Sequence, residues 1–232
     1  MIEEDLCPFD MKDVVLDAGT GSGYLLDKLS FRCGRAYAID INLDFLRKIE
    51  RRVRKDKVEL VQADVRKMPF KSEHFTRVVC TEVLEHLPNP SAAIEEFHRL
   101  LKPGGICVIA VPTFSSEKLY SILNRNYRQN EQSHVSILGR QQWISLFRQA
   151  GFDVFAVRNQ NFQPAIYWTL RNIFPIKFDP SSGEIAGSRL TDKGFWYFMS
   201  AINKVTLGNF DRFGNKIFPK SWYFYLRRRL ET

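Results

Sequence analysis

Residues Val14–Leu25 read VVLDAGTGSGYL. A short apolar run closes on an acid, Asp17, and then breaks into Gly19, Gly21 and Gly23 before apolar residues resume. That order predicts a strand, a tight turn and the start of a helix. Glycine removes the Cβ where the backbone must turn sharply. It also lets a ligand approach N–H groups at the positive end of the following helix. A dinucleotide fingerprint needs G-x-G-x-x-G, whose third glycine would fall at Tyr24, whereas the spacing here is G-x-G-x-G. The loop therefore predicts a nucleotide-like cofactor and argues against a nicotinamide-dependent oxidoreductase.

The strands that follow repeat one theme. Arg35–Asp40 (RAYAID) predicts a second strand ending in an acid, about twenty residues beyond the glycines, where a doubly wound fold places a carboxylate on ribose hydroxyls. The competing role for Asp40, a helix N-cap, is better filled by Asn42 or Asp44 ahead of Phe45, Ile49 and Val53. Val58–Asp64 (VELVQAD) predicts a third such strand, and Phe75–Thr81 (FTRVVCT) a fourth running into Glu82-Val83-Leu84-Glu85-His86. A helix over Ser91–Leu101 buries Ile94, Phe97, Leu100 and Leu101, Lys102-Pro103-Gly104-Gly105 ends it, and Ile106–Val111 makes a fifth, almost wholly apolar strand. A helix at about Gly139–Ala150 feeds a sixth strand, Phe152–Val157.

Four motifs in this order resemble class I S-adenosylmethionine-dependent methyltransferases, in particular small-molecule, type 11-like members. The resemblance covers roughly residues 13 to 157. It implies an α/β fold with a seven-stranded, mainly parallel, doubly wound sheet, helices on both faces and an antiparallel last strand, for which Ser221–Leu230 is the candidate. It implies S-adenosylmethionine as cofactor, held by Asp17, Ala18, Gly19, Thr20, Gly21 and Gly23 after the first strand. Asp40 and Ile41 would serve the ribose side. Asp64 would meet the adenine amino group with the backbone of Val65 at the ring edge, and Thr81 and Glu82 would line the site after the fourth strand. By the same analogy His134 faces the acceptor and His86 lies near the methyl donor. For both histidines the competing role is a structural hydrogen bond.

The resemblance divides the chain into a cofactor-binding core over 1–157, an insertion over 158–220 and a last core strand over 221–232. The insertion is too long for plain loop, and it carries two helix-like stretches, Ala165–Ile173 and Phe195–Leu207, around a Pro, Gly and Ser segment near Phe174–Ser188. A small cap is expected. Six of the eight net positive charges and 18 of the 31 aromatic residues fall from Gly151 onward, so the basic and aromatic character belongs to the C-terminal third. Such a region reads as an aromatic core with solvated cations, a hydrophobic substrate tunnel, an anionic membrane surface or a nucleic-acid surface.

Nucleic acid ranks last. Base-amino methyltransferases carry an Asp or Asn, two prolines and an aromatic after the fourth strand, where Thr81-Glu82-Val83-Leu84 stands here. A small, lipophilic acceptor is expected instead. A sulfonium methyl is already activated, so transfer mainly requires alignment and exclusion of water, and a histidine base becomes necessary for a hydroxyl or an acidic carbon. No metal is expected, because the Asp after the fourth strand and the later Asp-Asn pair of magnesium-using relatives are not reproduced. Glu82, Glu85 and His86 nonetheless form a sequence cluster able to ligate a cation. Cys7, Cys33, Cys80 and Cys107 show no C-x-x-C pairing and read as reduced packing residues.

Composition agrees with one globular domain and one elaboration, at 232 residues and 44% hydrophobic content. The acidic start and the lack of any span-length apolar run predict a cytoplasmic protein, with peripheral membrane contact through the C-terminal third. The rival from another class is a non-catalytic relative that binds S-adenosylmethionine or a partner protein. Retention of Asp17, the glycines, Asp40 and Asp64 argues against it. Oligomeric state is not encoded in any of these patterns.

Overall fold

The computed structural model describes residues 2–29, 31–54, 56–123, 134–173, 189–206 and 208–230. Seven strands form one sheet in the order β3-β2-β1-β4-β5-β7-β6. They are β1 (Val14–Ala18), β2 (Arg35–Asp40), β3 (Val58–Gln62), β4 (Phe75–Thr81), β5 (Leu101–Pro112), β6 (Phe152–Gln160) and β7 (Ser221–Arg228). The pairs β1–β2, β1–β4, β2–β3 and β4–β5 are parallel, and β7 lies antiparallel between β5 and β6. The expected last strand is therefore present, ending two residues earlier than its apolar pattern suggested.

Parallel strands covered on both faces need apolar side chains in both directions, and the strands supply them. Val15, Ala36 and Ala38 face α1 (Tyr24–Leu29) and α2 (Leu43–Glu50), packing with Leu26, Leu29 and Ile49. Val79, Val108, Ala110, Tyr223 and Tyr225 form a second cluster with Cys7. The period of two then sends Phe224 the other way, onto Phe147 of α5 (Arg140–Gln149), with ring centroids 5.1 Å apart. Helix α3 (Ser91–Leu100) buries Ala93, Ile94, Phe97 and Leu100.

One boundary differs from the sequence reading. Lys102-Pro103-Gly104-Gly105 does not precede the fifth strand but belongs to it, because β5 begins at Leu101. Phe75 pairs with Leu101 and Arg77 with Ile106, so a two-residue step on β4 faces five residues on β5. This is a bulge. Gly104 takes φ +75°, and a Cβ at Gly105 would press on the Lys102 and Thr76 carbonyls, which explains why turn-forming residues sit inside a strand.

The chain separates into two compact units, one of Met1–Val111, His134–Arg158 and Tyr223–Thr232, the other of Pro112–Ser133 and Asn159–Trp222. Pro112–Ser133 thus joins the segment that the sequence reading set apart as an insertion. The second unit holds α4 (Phe114–Leu123), α6 (Phe162–Ile173), α7 (Arg189–Val205) and α8 (Asn209–Ile217). Tyr120 of α4 donates to the Ala165 carbonyl of α6 at 3.2 Å, and the Phe162 and Phe210 rings meet at 5.4 Å. Both expected helices exist, α6 starting at Phe162 ahead of the expected Ala165 and α7 starting at Arg189 ahead of the expected Phe195 and ending at Val205; α8 is additional, and the expected break over 174–188 lies outside the described residues. No helix among the described residues is long and apolar enough to cross a membrane.

Candidate active site

Strand order reverses between β1 and β4, since the chain builds outward to β2 and β3 on one side and to β5 on the other. In open α/β sheets the crevice beyond the carboxyl ends of the strands at such a switch point is where ligands bind. The residues predicted for the cofactor gather there. Asp17 pairs in register with Ala38 and Val79, and Asp40 with Gln62, so the ends of β1, β2, β3 and β4 lie side by side.

The glycine loop is held from two sides. The amides of Gly19 and Thr20 both donate to the Ile39 carbonyl at 2.9 Å, and the amide of Gly21 donates to Asp40 Oδ2 at 2.8 Å. Asp40 Oδ1 accepts from the Asn42 amide at 2.8 Å, while Asn42 itself caps α2, as expected. Asp40 thereby ties the loop after β1 to the end of β2. Gly19, Gly21 and Gly23 all have positive φ, the conformation in which L side chains are strained. A Cβ on Gly19 would also strike Val83, which brings the loop after β4 directly against the glycine loop. A Cβ on Gly21 would meet open space.

Asp17 is buried and accepts from Thr20 Oγ1 at 2.8 Å. Burial pushes its pKa up to about 7, against the Thr20 hydrogen bond and with a further rise from the Asp40 charge. Asp64 has a local partner. Its carboxylate accepts from the Arg66 amide and guanidinium, at 2.6 Å to Nη2, and the Arg66 side chain holds its pKa below the usual carboxylate range. Ile41 stands exposed beside Asp40, whereas Val65 is buried. Thr81 closes β4, and Glu82 follows in a left-handed conformation at φ +57°, its amide on the Ala110 carbonyl at 2.9 Å. A glutamate at positive φ is uncommon and is held here by the surrounding strands.

Beyond Glu82 the chain makes a 3-10 turn over Leu84–His86. The carbonyl of Glu85 accepts from the amides of Val135 and Ser136 at 2.8 and 2.9 Å, and Ser136 Oγ donates to the Leu87 carbonyl at 2.5 Å. Those bonds carry His134 to the turn. Its ring lies 4.8 Å from that of His86 at 69°, and its Nε2 is 4.0 Å from Oε1 of the buried Glu85. Both predicted histidines are therefore brought together, with a carboxylate that sequence reading had considered only as a cation ligand. The signal for its pairing was the acid immediately before His86, but nothing local identifies His134 as its mate. One donor atom each from Glu85, His86 and His134 lies within 4.8 Å of the others, a set that a divalent cation of the first transition row accepts.

The cysteines are not part of this chemistry. All four are buried and free, and burial pushes the Cys80 and Cys107 thiols well up, which suppresses the thiolate.

Residues 16–109 match the model of a family described as a methyltransferase domain. Over 145 residues the chain is 33% identical to the ubiquinone biosynthesis O-methyltransferase of Azotobacter vinelandii, covering 60% of this chain and 55% of that protein. Over 102 residues it is 33% identical to the ubiquinone/menaquinone biosynthesis C-methyltransferase UbiE of Coxiella burnetii, covering 41% of each. The chain thus spans about half the length of the curated relatives it matches. Among solved structures, an S-adenosylmethionine dependent methyltransferase from Mesorhizobium loti superposes with TM-score 0.65 at 11% identity, covering 97% of this chain and 95% of that one. Phosphoethanolamine N-methyltransferase 2 of Haemonchus contortus, in complex with S-adenosyl-L-methionine, gives 0.63 at 18%, covering 98% and 51%. Residues 16–109 thus match a methyltransferase domain, and the glycine loop, the acid-ended strands and the sheet order are similar to those of class I S-adenosylmethionine-dependent methyltransferases.

Proposed function

We propose that the chain methylates a small, lipophilic acceptor at a hydroxyl or an acidic carbon, with His134 as the base. The observation that carries this reading is the placement of His134 against Glu85, on a turn whose preceding residue, Val83, abuts the cofactor loop at Gly19. S-adenosylmethionine, when bound, supplies a methyl already activated on a sulfonium. The chain must hold the donor, align the acceptor and remove one proton. In this reading Asp40 accepts from ribose hydroxyls, and the glycine-loop backbone lets the donor approach closely. The Glu85 carboxylate stabilises the imidazolium that forms when His134 takes the acceptor's proton, as a buried acid does for a neighbouring histidine in general base catalysis. The O- and C-methyltransferase relatives act in the biosynthesis of quinones, which supports a lipophilic acceptor of this kind.

The test is turnover of a hydroxylated, quinone-like phenol by the wild-type chain, His134→Gln and Glu85→Gln, with S-adenosylhomocysteine affinity measured alongside. A base role predicts that His134→Gln lowers kcat by about 10²–10⁴-fold with cofactor affinity retained. A His134→Gln kcat equal to that of the wild-type chain would remove the base. A second reading rests on the three converging donor atoms of Glu85, His86 and His134, which could orient the acceptor through a divalent cation. Abolition of turnover by a chelator, with restoration by manganese or zinc, would favour that reading over the metal-free one.

A further inference from the structure

Helices α7 and α8 of the second unit turn an unusual set of side chains outward. On α8 the exposed residues are Asn209, Arg212, Phe213, Lys216 and Ile217, a spacing of three, four, seven and eight that defines one helical face. The opposite face is fully used. Phe162 packs on Gly214 and on the Phe210 ring, Asn215 Oδ1 accepts from the Phe162 amide at 2.9 Å, and Asp211 Oδ2 accepts from Gln163 Nε2 at 2.7 Å. On α7, which packs against α8, Tyr197, Phe198, Ala201, Lys204 and Val205 again form one exposed face, with Gly194 on it, Ser200 exposed at its edge and Met199 buried behind it.

A surface helix normally buries its large apolar residues and shows charges of both signs. Here Tyr197 is 82% exposed, Val205 83% and Phe213 67%. The charged residues on the two faces, among the described residues, are Lys204, Arg212 and Lys216, all cations. Apolar side chains beside long cationic stems, with no acid among them, are complementary to one kind of surface. Lys and Arg reach lipid phosphates while their stems and the adjoining rings enter the acyl boundary. Exposed aliphatics such as Val205 and Ile217 offer a nucleic acid nothing to stack on, whereas they partition readily between lipid headgroups.

We propose that the outward faces of α7 and α8 form a docking surface for an anionic lipid bilayer. The surface holds the protein reversibly, since five partly inserted side chains and three cations fall short of a permanent anchor. This inference stands apart from the acceptor reading, because membrane partitioning is read without turnover.

The experiment is co-sedimentation of the full chain with phosphatidylcholine vesicles and with vesicles of mixed phosphatidylcholine and phosphatidylglycerol. Binding to the mixed vesicles, weakened by salt and by removal of the anionic lipid, is expected. Each cation near an anionic surface strengthens partitioning about five-fold, so Lys204→Glu/Arg212→Glu/Lys216→Glu should lower it by at least about 100-fold. Tyr197→Ser/Phe213→Ser/Ile217→Ser should lower it on mixed vesicles with the cations intact. Retention of the S-adenosylhomocysteine thermal shift shows that the variants are folded. Equal binding to neutral vesicles, no binding to either kind, indifference to both triple variants, or preferential capture of an RNA oligonucleotide would each overturn the proposal.

Discussion

The carboxyl ends of β1, β2 and β4 and the outward faces of α7 and α8 use apolar side chains in opposite ways. In the first region the large apolar side chains at the ends of the strands are covered, and glycine backbone, the acids Asp17 and Asp40 and the Glu85–His134 pair gather there, with Ile41 exposed beside Asp40. In the second, rings and aliphatics stand outside their helices among cations. The difference shows where each region keeps its function. A site built from positive φ angles, amides and shared carboxylates fails when one residue changes, because each atom has a single position. A face that works by summed area and charge loses function in small portions.

Substituting glycines in the loop should break the first region hardest. Gly19→Val combines left-handed strain with a clash against Val83 and should cost about 3 kcal/mol or more in urea unfolding, with loss of S-adenosylhomocysteine binding. Gly21→Ala, where a Cβ meets open space, should cost only the left-handed strain of about 1–2 kcal/mol. Equal losses at the two positions would show that the packing of the two loops does not matter.

A pH series sharpens the comparison further. Asp17 has a folded pKa raised to about 7, above its unfolded value of about 4. Between those values the native state holds a proton that the unfolded state has released, so Asp17 makes stability fall as pH rises through this window. The slope approaches about 1.4 kcal/mol per pH unit. Asp17→Asn should remove that slope from denaturation curves recorded between pH 4 and 7. An unchanged slope would assign it to other groups.

The smallest effect belongs to the second region. Phe213→Ser exposes no new surface and should change unfolding free energy by less than about 0.5 kcal/mol, as surface substitutions do. A larger loss would mean that Phe213 is covered by protein in solution.

Much of the first unit was legible because its constraints are local. Val14–Ala18, Arg35–Asp40 and Phe75–Thr81 declare themselves by apolar runs ending in polar residues, and the glycines mark the turn. Other elements were hidden by local signals that point elsewhere. The expected helix began at Ala165, yet α6 starts at Phe162 with Pro164 in its first turn, where an amide has no helical partner to lose. Helix α8 carries no long apolar stripe to announce it, and its glycines have structural roles: Gly208 is its left-handed cap and Gly214 leaves room for the Phe162 ring. The bulge at Lys102–Gly105 read as a helix terminator.

The sequence by itself determined the strand–turn–helix around the glycine loop, the acids toward the ends of β1 and β2, and the concentration of basic and aromatic residues in the C-terminal third. Each of these is a property of neighbouring residues or of a period of two or 3.6. Tertiary structure alone decided that β7 enters between β5 and β6 and that Glu85 meets His134. Tertiary structure also decided which sides of α7 and α8 face out. A pattern along the chain states which face a segment must bury, but not what will cover it. That choice is made when distant amides such as those of Val135 and Ser136 find the Glu85 carbonyl, and it is the three-dimensional pairing that brings an acid and a histidine into one site.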